Sequence, residues 1–159
     1  MIKRLKALLT ADLSPSHGTS KHPDEAIRLA TATLLIEAAM MDGETDEAEI
    51  TIIQDLLADY FQLSDEEVAE LVADGEAAAQ DSAELYGLTR TLKDNFDHEE
   101  RVQMIEMLWE VAYTDGRLHH LETNLIRRIA GLIYVPDRES GEARKRAQAK
   151  RENKQIDAL

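Results

Sequence analysis

Length, composition and charge set limits before any motif is considered. The chain has 159 residues, no cysteine, and 32 acidic against 18 basic side chains, so its net charge is −14. This length fits a single domain of about 100–200 residues. The absence of cysteine excludes disulfides, thiolate metal clusters and a cysteine nucleophile. The acidic excess argues against binding to nucleic acid or to an anionic membrane surface.

The charge is distributed unevenly along the chain. Residues 1–21 carry +3, residues 22–122 carry −21 from 26 acids and five bases, and residues 123–159 carry +4 from nine bases and five acids. Between Arg28 and Arg90 there are 16 acids and no lysine or arginine. A solvated acidic face would explain such a run without any binding function, and this interpretation stays open.

Residues 1–22 are predicted to form a basic N-terminal helix followed by a flexible linker. The segment Met1–Leu9 places its apolar and basic residues on opposite helical faces, and Ser14–His22 is rich in linker residues. No apolar stretch approaches the roughly 20 residues of a membrane helix, and the start of the chain lacks a signal-peptide pattern. We therefore expect no membrane span and a cytoplasmic location.

Residues 23–137 are predicted to form an all-α domain. Pro23 followed by two acids indicates a helix start, and that helix should run to about Met41. Pairs with capping-box spacing predict four more starts: Asp46 with Glu49, Ser64 with Glu67, Asp81 with Glu84 and Asp97 with Glu100. With helices near His120 and after Asp137, the total is about seven, and no strand alternation competes. Residues 138–159 are predicted to be a basic tail, helical or partly disordered.

An internal repeat is the most informative feature of the sequence. A shift of 73 positions pairs LLIEAAMMDGETDEAEI with MLWEVAYTDGRLHHLET, with eight identities over residues 28–53 and 101–126. The repeat predicts two helical hairpins, at about residues 28–57 and 101–130, related by a pseudo-twofold axis.

Each repeat carries a glutamate in an apolar helix, an Asp-Gly turn, and a second glutamate seven residues after the aspartate. An aspartate at a helix C-terminus faces the negative end of the helix dipole, so a cation would stabilise it. The helix reversal brings the second glutamate back toward it, and converging carboxylates suit a hard divalent cation. The predicted metal ligands are Glu37, Asp42, Glu49, Glu110, Asp115 and Glu122.

The aspartate-to-glutamate spacing equals that between the fifth and twelfth positions of an EF-hand loop. The first and third loop positions would be Ala38 and Met40 in one repeat, and Val111 and Tyr113 in the other. Because these side chains offer no oxygen ligand, the repeat is not an EF-hand.

The turns of the two repeats differ in their extra ligands. The first turn adds Glu44 and Asp46, an all-oxygen set that favours Ca²⁺, Mg²⁺ or Mn²⁺. The second has Arg117, which disfavours a cation, and His119, whose imidazole would admit Zn²⁺. Glu44, Asp46 and His119 are therefore additional candidate ligands, and the expected cofactor is a divalent ion, Ca²⁺ or Zn²⁺.

Other roles for the same residues stay open. Glu49 and Glu122 could be capping carboxylates, with the Asp-Gly pairs as Asx turns. Salt bridges from Arg28 or Arg101 could satisfy the two glutamates inside the apolar helices.

At these residues the chain resembles the TerB-like proteins of tellurite resistance operons. The motif of a helix glutamate, Ala-x-x-Asp-Gly and a downstream glutamate occurs twice, and the resemblance runs from about Asp24 to Asp137. It implies an all-α fold with pseudo-twofold halves, a metal-binding acidic cluster, and a non-enzymatic role in metal-ion stress response. It also implies a protein partner in a membrane-associated complex. A homodimer stays open, as does a metal-free module that binds proteins through its acidic face.

Overall fold

The chain folds into a bundle of helices around one central helix. The structure is a computed structural model that describes residues 18–41, 47–80, 85–114 and 120–157. These ranges hold seven helices and no strand: α1 Gly18–Ala39, α2 Glu47–Phe61, α3 Asp65–Gln80, α4 Leu85–Asn95, α5 His98–Ala112, α6 His120–Leu132 and α7 Asp137–Asp157. The predicted all-α class is confirmed. None of these helices is long and apolar enough to cross a membrane.

Two of the predicted helix starts are confirmed by their capping geometry. Before α3, the amide of Ser64 donates to Glu67 Oε1 (3.0 Å) and the amide of Glu67 donates to Ser64 Oγ (3.2 Å). Before α5, Asp97 and Glu100 make the same reciprocal pair at 2.8 and 3.0 Å. Each pair satisfies two amides that the helix start would otherwise leave without partners.

Three predictions concern segments that lie wholly or partly outside the described residues. These are the amphipathic segment 1–9, the capping pair Asp81 with Glu84, and the capping role of Asp46. Helix α1 begins at Gly18, five residues before the predicted start at Pro23. Pro23 is thus the sixth residue of α1, where a proline removes one backbone hydrogen bond and crowds the carbonyl four residues before it.

Helix α1 lies at the centre of the bundle. It contacts α2, α3, α4, α5 and α6, and its residues from Ala30 to Ala39 are buried on all sides except at Glu37. A helix that is apolar around most of its circumference requires such enclosure. Two buried threonines in it are satisfied locally, because Thr31 and Thr33 donate to the carbonyls of Ile27 (2.7 Å) and Leu29 (2.6 Å).

The helix contacts repeat in the two halves of the chain. Helix α1 packs on α2 and α3 as α5 packs on α6 and α7, and the cross-contacts α1 with α6 and α2 with α5 correspond to each other. Each repeat is therefore a unit of three helices, one more than the predicted hairpin, with α4 between the units. The pseudo-twofold axis itself stays a prediction.

The ends of α2 and α6 show that the repeat extends into the third helices. Gln62 (φ 55°) and Tyr134 (φ 59°) both adopt the left-handed conformation, and they are 72 positions apart (134 − 62). The next amide closes each helix, from Leu63 to the Ala58 carbonyl at 3.0 Å and from Val135 to the Ala130 carbonyl at 2.8 Å. The shift between repeats is thus 73 positions up to the middle of the second helices and 72 afterwards.

Helix α7 packs along α5 with almost no apolar side chains of its own. Its only apolar residues are three alanines and Ile156, and its described buried residues are Ser140, Ala143, Ala147 and Arg151. Small residues allow the two helices to approach closely but bury little apolar area. Polar and charged contacts must therefore supply much of the attachment of α7.

Candidate functional site

The structure describes four of the nine predicted ligands. Glu37 and Glu110 lie near the ends of α1 and α5, and Glu49 and Glu122 lie in the first turns of α2 and α6. The other five lie outside the described residues: Asp42, Glu44, Asp46, Asp115 and His119. Within the described ranges, no group of three or more His, Cys, Asp or Glu side chains could hold a metal ion.

Glu37 is a half-buried carboxylate whose charge is not offset by the described cations. Desolvation by burial raises its pKa above the usual range, and among the described residues no nearby charge lowers it. A nearby cation would lower the free energy of such a carboxylate, because it stabilises the charged form that burial disfavours.

Glu49 and Glu122 are more deeply buried than the glutamates of the two described capping boxes. They are 6% and 2% exposed, whereas Glu67 is exposed and Glu100 only partly buried in the two capping boxes described above. Burial of a carboxylate is costly unless other groups stabilise it. Burial thus distinguishes Glu49 and Glu122 from Glu67 and Glu100, and both the capping role and the ligand role of Glu49 and Glu122 stay predictions.

Glu110 pairs with a buried arginine from α7. Its side chain is 3% exposed, and its Oε1 accepts a hydrogen bond from Arg151 Nη2 at 3.1 Å. Burial raises the pKa of Glu110, and the Arg151 charge opposes that shift without cancelling it. The Nε of Arg151 is buried without a hydrogen-bond partner, so the pair is not fully satisfied.

A second buried carboxylate on α5, Glu106, was not among the predicted ligands. Its side chain is 4% exposed, and it accepts hydrogen bonds from Arg146 Nε at 2.5 Å and from Lys150 Nζ. Burial alone would raise the pKa of Glu106, but the hydrogen bonds and charges of Lys150 and Arg146 hold it below the usual value. The repeat could not reveal this residue, because the position 73 residues earlier is Thr33.

The contacts of Arg28 and Arg101 in the structure are not the salt bridges to Glu37 and Glu110 that the sequence suggested. Arg101 donates to the carbonyls of Phe96 (3.2 Å) and Ile133 (3.3 Å), and Arg28 lies over the ring of Phe61 at 5.8 Å. Glu110 is satisfied instead by Arg151, 41 residues away in the chain.

The third helix of each repeat, α3 in the first and α7 in the second, explains why, in the described part of the chain, Glu110 has an arginine beside it and Glu37 does not. At the 72-residue shift, Arg151 of α7 corresponds to Ala79 of α3 (151 − 72), and Ala147 corresponds to Gly75. Helix α3 contains no lysine or arginine at all. It also lies very close to α1, since a Cβ on Gly75 would be 2.8 Å from Ile36 Cδ1. The second repeat thus contains its own cation beside the helix glutamate, whereas no cation of the described residues lies beside Glu37 in the first.

Comparison with known proteins agrees with this architecture. A family model described as "Tellurite resistance protein TerB" matches residues 28–145, three quarters of the chain and all of α2 to α6. No curated protein and no solved structure matches. The match ends one residue before Arg146, so the bases that pair with Glu106 and Glu110 lie beyond it. The chain belongs to the TerB family of tellurite resistance proteins.

Proposed function

We propose that this protein is a non-enzymatic module that binds one divalent cation in its first repeat and acts in the response to tellurite or metal-ion stress. The observation that carries the proposal is the contrast between the two helix glutamates. Glu110 has Arg151 as an internal cation, whereas Glu37 has a burial-raised pKa and no described cation beside it. A bound divalent ion would supply the missing positive charge.

The cation would be held by oxygen ligands. Glu37, Glu49 and the turn acids Asp42, Glu44 and Asp46 are the donors that we assign to it. Carboxylates alone suit Ca²⁺, Mg²⁺ or Mn²⁺, and Ca²⁺ accepts the largest number of such ligands. In the second repeat, Glu110, Asp115, Glu122 and His119 are the corresponding set, and Arg151 lowers the need for a metal there.

Thermal unfolding tests the proposal directly. The protein is freed of metal with EDTA, dialysed, and melted with and without Ca²⁺, Mg²⁺ or Zn²⁺. An ion at 100 times its dissociation constant stabilises the folded state by about 2.7 kcal/mol, which raises the Tm by about 5–10 °C for a domain of this size. No change in Tm with any of the three ions would contradict the proposal.

The repeat supplies a matched control for the site. Glu37→Gln should abolish the rise in Tm on adding the ion, whereas Glu110→Gln at the equivalent position should keep it. Equal responses of the two variants would contradict the assignment to the first repeat.

A second candidate function is a metal-free module that binds a basic partner through the acidic face of α2 and α3. It is favoured because Asp55, Asp59 and Glu67 line one open groove between these helices. This function predicts association that weakens with salt and persists in EDTA. A partner in a membrane-associated stress complex, a homodimer and a cytoplasmic location stay predictions.

A further inference from the structure

We propose that the face of α5 beneath α7 is a docking site for a basic helix of a partner protein, and that α7 occupies this site intramolecularly until the partner replaces it. The inference does not rest on cation binding by the first repeat. It concerns a different helix and the carboxylate Glu106, which has no counterpart in that repeat.

The chemistry of the site is defined by what α7 presents to it. Glu106 accepts hydrogen bonds from Arg146 and Lys150, and Glu110 accepts one from Arg151. These three bases have the spacing i, i+4 and i+5 on one helix, and the acids have the spacing i and i+4 on the other. The pattern is a charge match between two helix faces.

Trp109 of α5 and Tyr113, which directly follows α5, extend the site along the helix. Trp109 Nε1 donates to Ser140 Oγ at 3.3 Å, and Arg144 Nε donates to the Tyr113 hydroxyl at 2.7 Å. The guanidinium of Arg144 also lies 5.2 Å from the Trp109 ring centroid and 5.9 Å from that of Tyr113. The site therefore fits a helix with small residues facing α5 and arginines or lysines on both sides of them.

The composition of α7 makes it exchangeable. From Arg144 to Lys154 it carries six bases and one acid, or +5, and its described buried apolar side chains are two alanines. Hydrophobic burial scales with apolar area, so α7 itself loses little when it leaves α5. Its attachment relies on ion pairs, and salt weakens those of the half-exposed Arg146 and Lys150 more than the buried pair of Arg151 with Glu110.

The α5 face cannot remain uncovered when α7 leaves. Trp109 is only 3% exposed beneath α7, and Glu106 and Glu110 would lose their cations. Exposure of an indole is unfavourable in water, and the acidic face attracts cations. These costs favour replacement of α7 by another basic helix over simple release.

The connection to α7 is short and partly buried. It consists of residues 133–136, in which Ile133 and Val135 are 0% and 3% exposed and Tyr134 is 67% exposed. Because Ile133 and Val135 hold the start of α7 on the core, replacement of α7 would begin at its basic part, from Arg144 onward.

Peptide binding to the full chain tests the proposal. The probe is a fluorescent synthetic peptide with the sequence of residues 137–157, and anisotropy is measured in EDTA. In one variant, Arg146→Gln and Lys150→Gln weaken the internal α7, and these side chains are about half exposed, which favours retention of the fold. The control variant, Arg138→Gln with Lys145→Gln, removes two exposed bases from the same helix.

We expect the weakened chain to bind the probe at least tenfold more tightly than the wild type and the control. A probe that itself carries the two glutamines should bind the weakened chain at least tenfold less tightly. Equal affinities of the three chains for the probe would overturn the proposal.

Hydrogen exchange on the wild-type chain gives an independent test that needs no variant. The amides of α7 should exchange faster than those of α1, and raising NaCl from 50 to 500 mM should accelerate α7 several-fold without affecting α1. Protection of α7 equal to that of α1 and independent of salt would overturn the exchange of α7.

Discussion

The buried pair of Glu110 and Arg151 allows a prediction whose size follows from the structure. Arg151→Met keeps most of the aliphatic stem and removes the charge, which leaves Glu110 buried without its cation. Removing one partner of a buried pair typically destabilises a protein by about 3–5 kcal/mol. The carboxyl can limit this loss by taking up a proton.

The free energy needed to protonate Glu110 sets an upper limit on the stability lost in Arg151→Met, and this limit depends on pH. An ordinary glutamate has a pKa of about 4.3, and each pH unit above it costs about 1.36 kcal/mol. At pH 7 the limit is therefore about 3.7 kcal/mol, and at pH 5 it is about 1 kcal/mol. We expect Arg151→Met to lower the free energy of unfolding by about 2–3.5 kcal/mol at pH 7 and by about 1 kcal/mol or less at pH 5.

Urea unfolding followed by circular dichroism at both pH values measures this loss. Glu110→Gln combined with Arg151→Met should recover most of the stability at pH 7, because the uncompensated charge is gone. Arg138→Met is the matched control, since Arg138 lies on the same helix and its side chain is 88% exposed. It should change stability by less than about 0.5 kcal/mol. A loss for Arg151→Met that is equally small, or that does not shrink at pH 5, would refute the reasoning.

Three further predictions concern individual positions. Glu37→Gln should raise the Tm of the metal-free protein at pH 7 but not at pH 4. A carboxyl whose pKa is raised in the folded state destabilises that state only at pH values above its ordinary pKa. Thermal melts at the two pH values check this expectation. Asp97→Ala should lower the free energy of unfolding by about 1 kcal/mol through loss of the α5 cap, as measured in urea. Gln62→Gly should raise it by about 0.5–1 kcal/mol by relieving a left-handed residue, whereas Tyr134→Gly should gain less because its ring lies 5.3 Å from Lys93 Nζ. A loss of stability for Gln62→Gly in the same titration would contradict the strain argument.

The parts of the fold that the sequence predicts are those with local or duplicated signals. The capping pairs at Ser64 and Asp97 follow from three-residue spacings, and the matching contacts of α1 with α2 and of α5 with α6 follow from the repeat. The third helix of each repeat, α3 or α7, was not found by the 73-position comparison, because the shift changes from 73 to 72 within α2 and α6. At the new shift only scattered identities remain, such as Ala58 with Ala130 and Asp65 with Asp137.

The candidate site was less accessible from the sequence, for a physical reason. Glu106 and Glu110 depend on bases about 40 residues away in a helix with little apolar periodicity. Neither local propensity nor the repeat encodes such a pairing, since the first repeat has Thr33 and Ala79 at corresponding places. The only available signal was the matched spacing of two acids on α5 and three bases on α7.

The divergence of the two repeats ties the glutamates to their third helices. Glu37 and Glu110 occupy corresponding positions in helices of similar burial, so each carboxylate incurs a desolvation cost. In the second repeat, Arg151 offsets part of that cost from within the chain. In the first, Ala79 stands at the corresponding position and Gly75 brings α3 against α1, and no described cation takes the place of Arg151. The charge of Glu37 can then be balanced only by a proton or by a cation from outside the described part of the chain, and at neutral pH a divalent ion avoids the free energy of protonation.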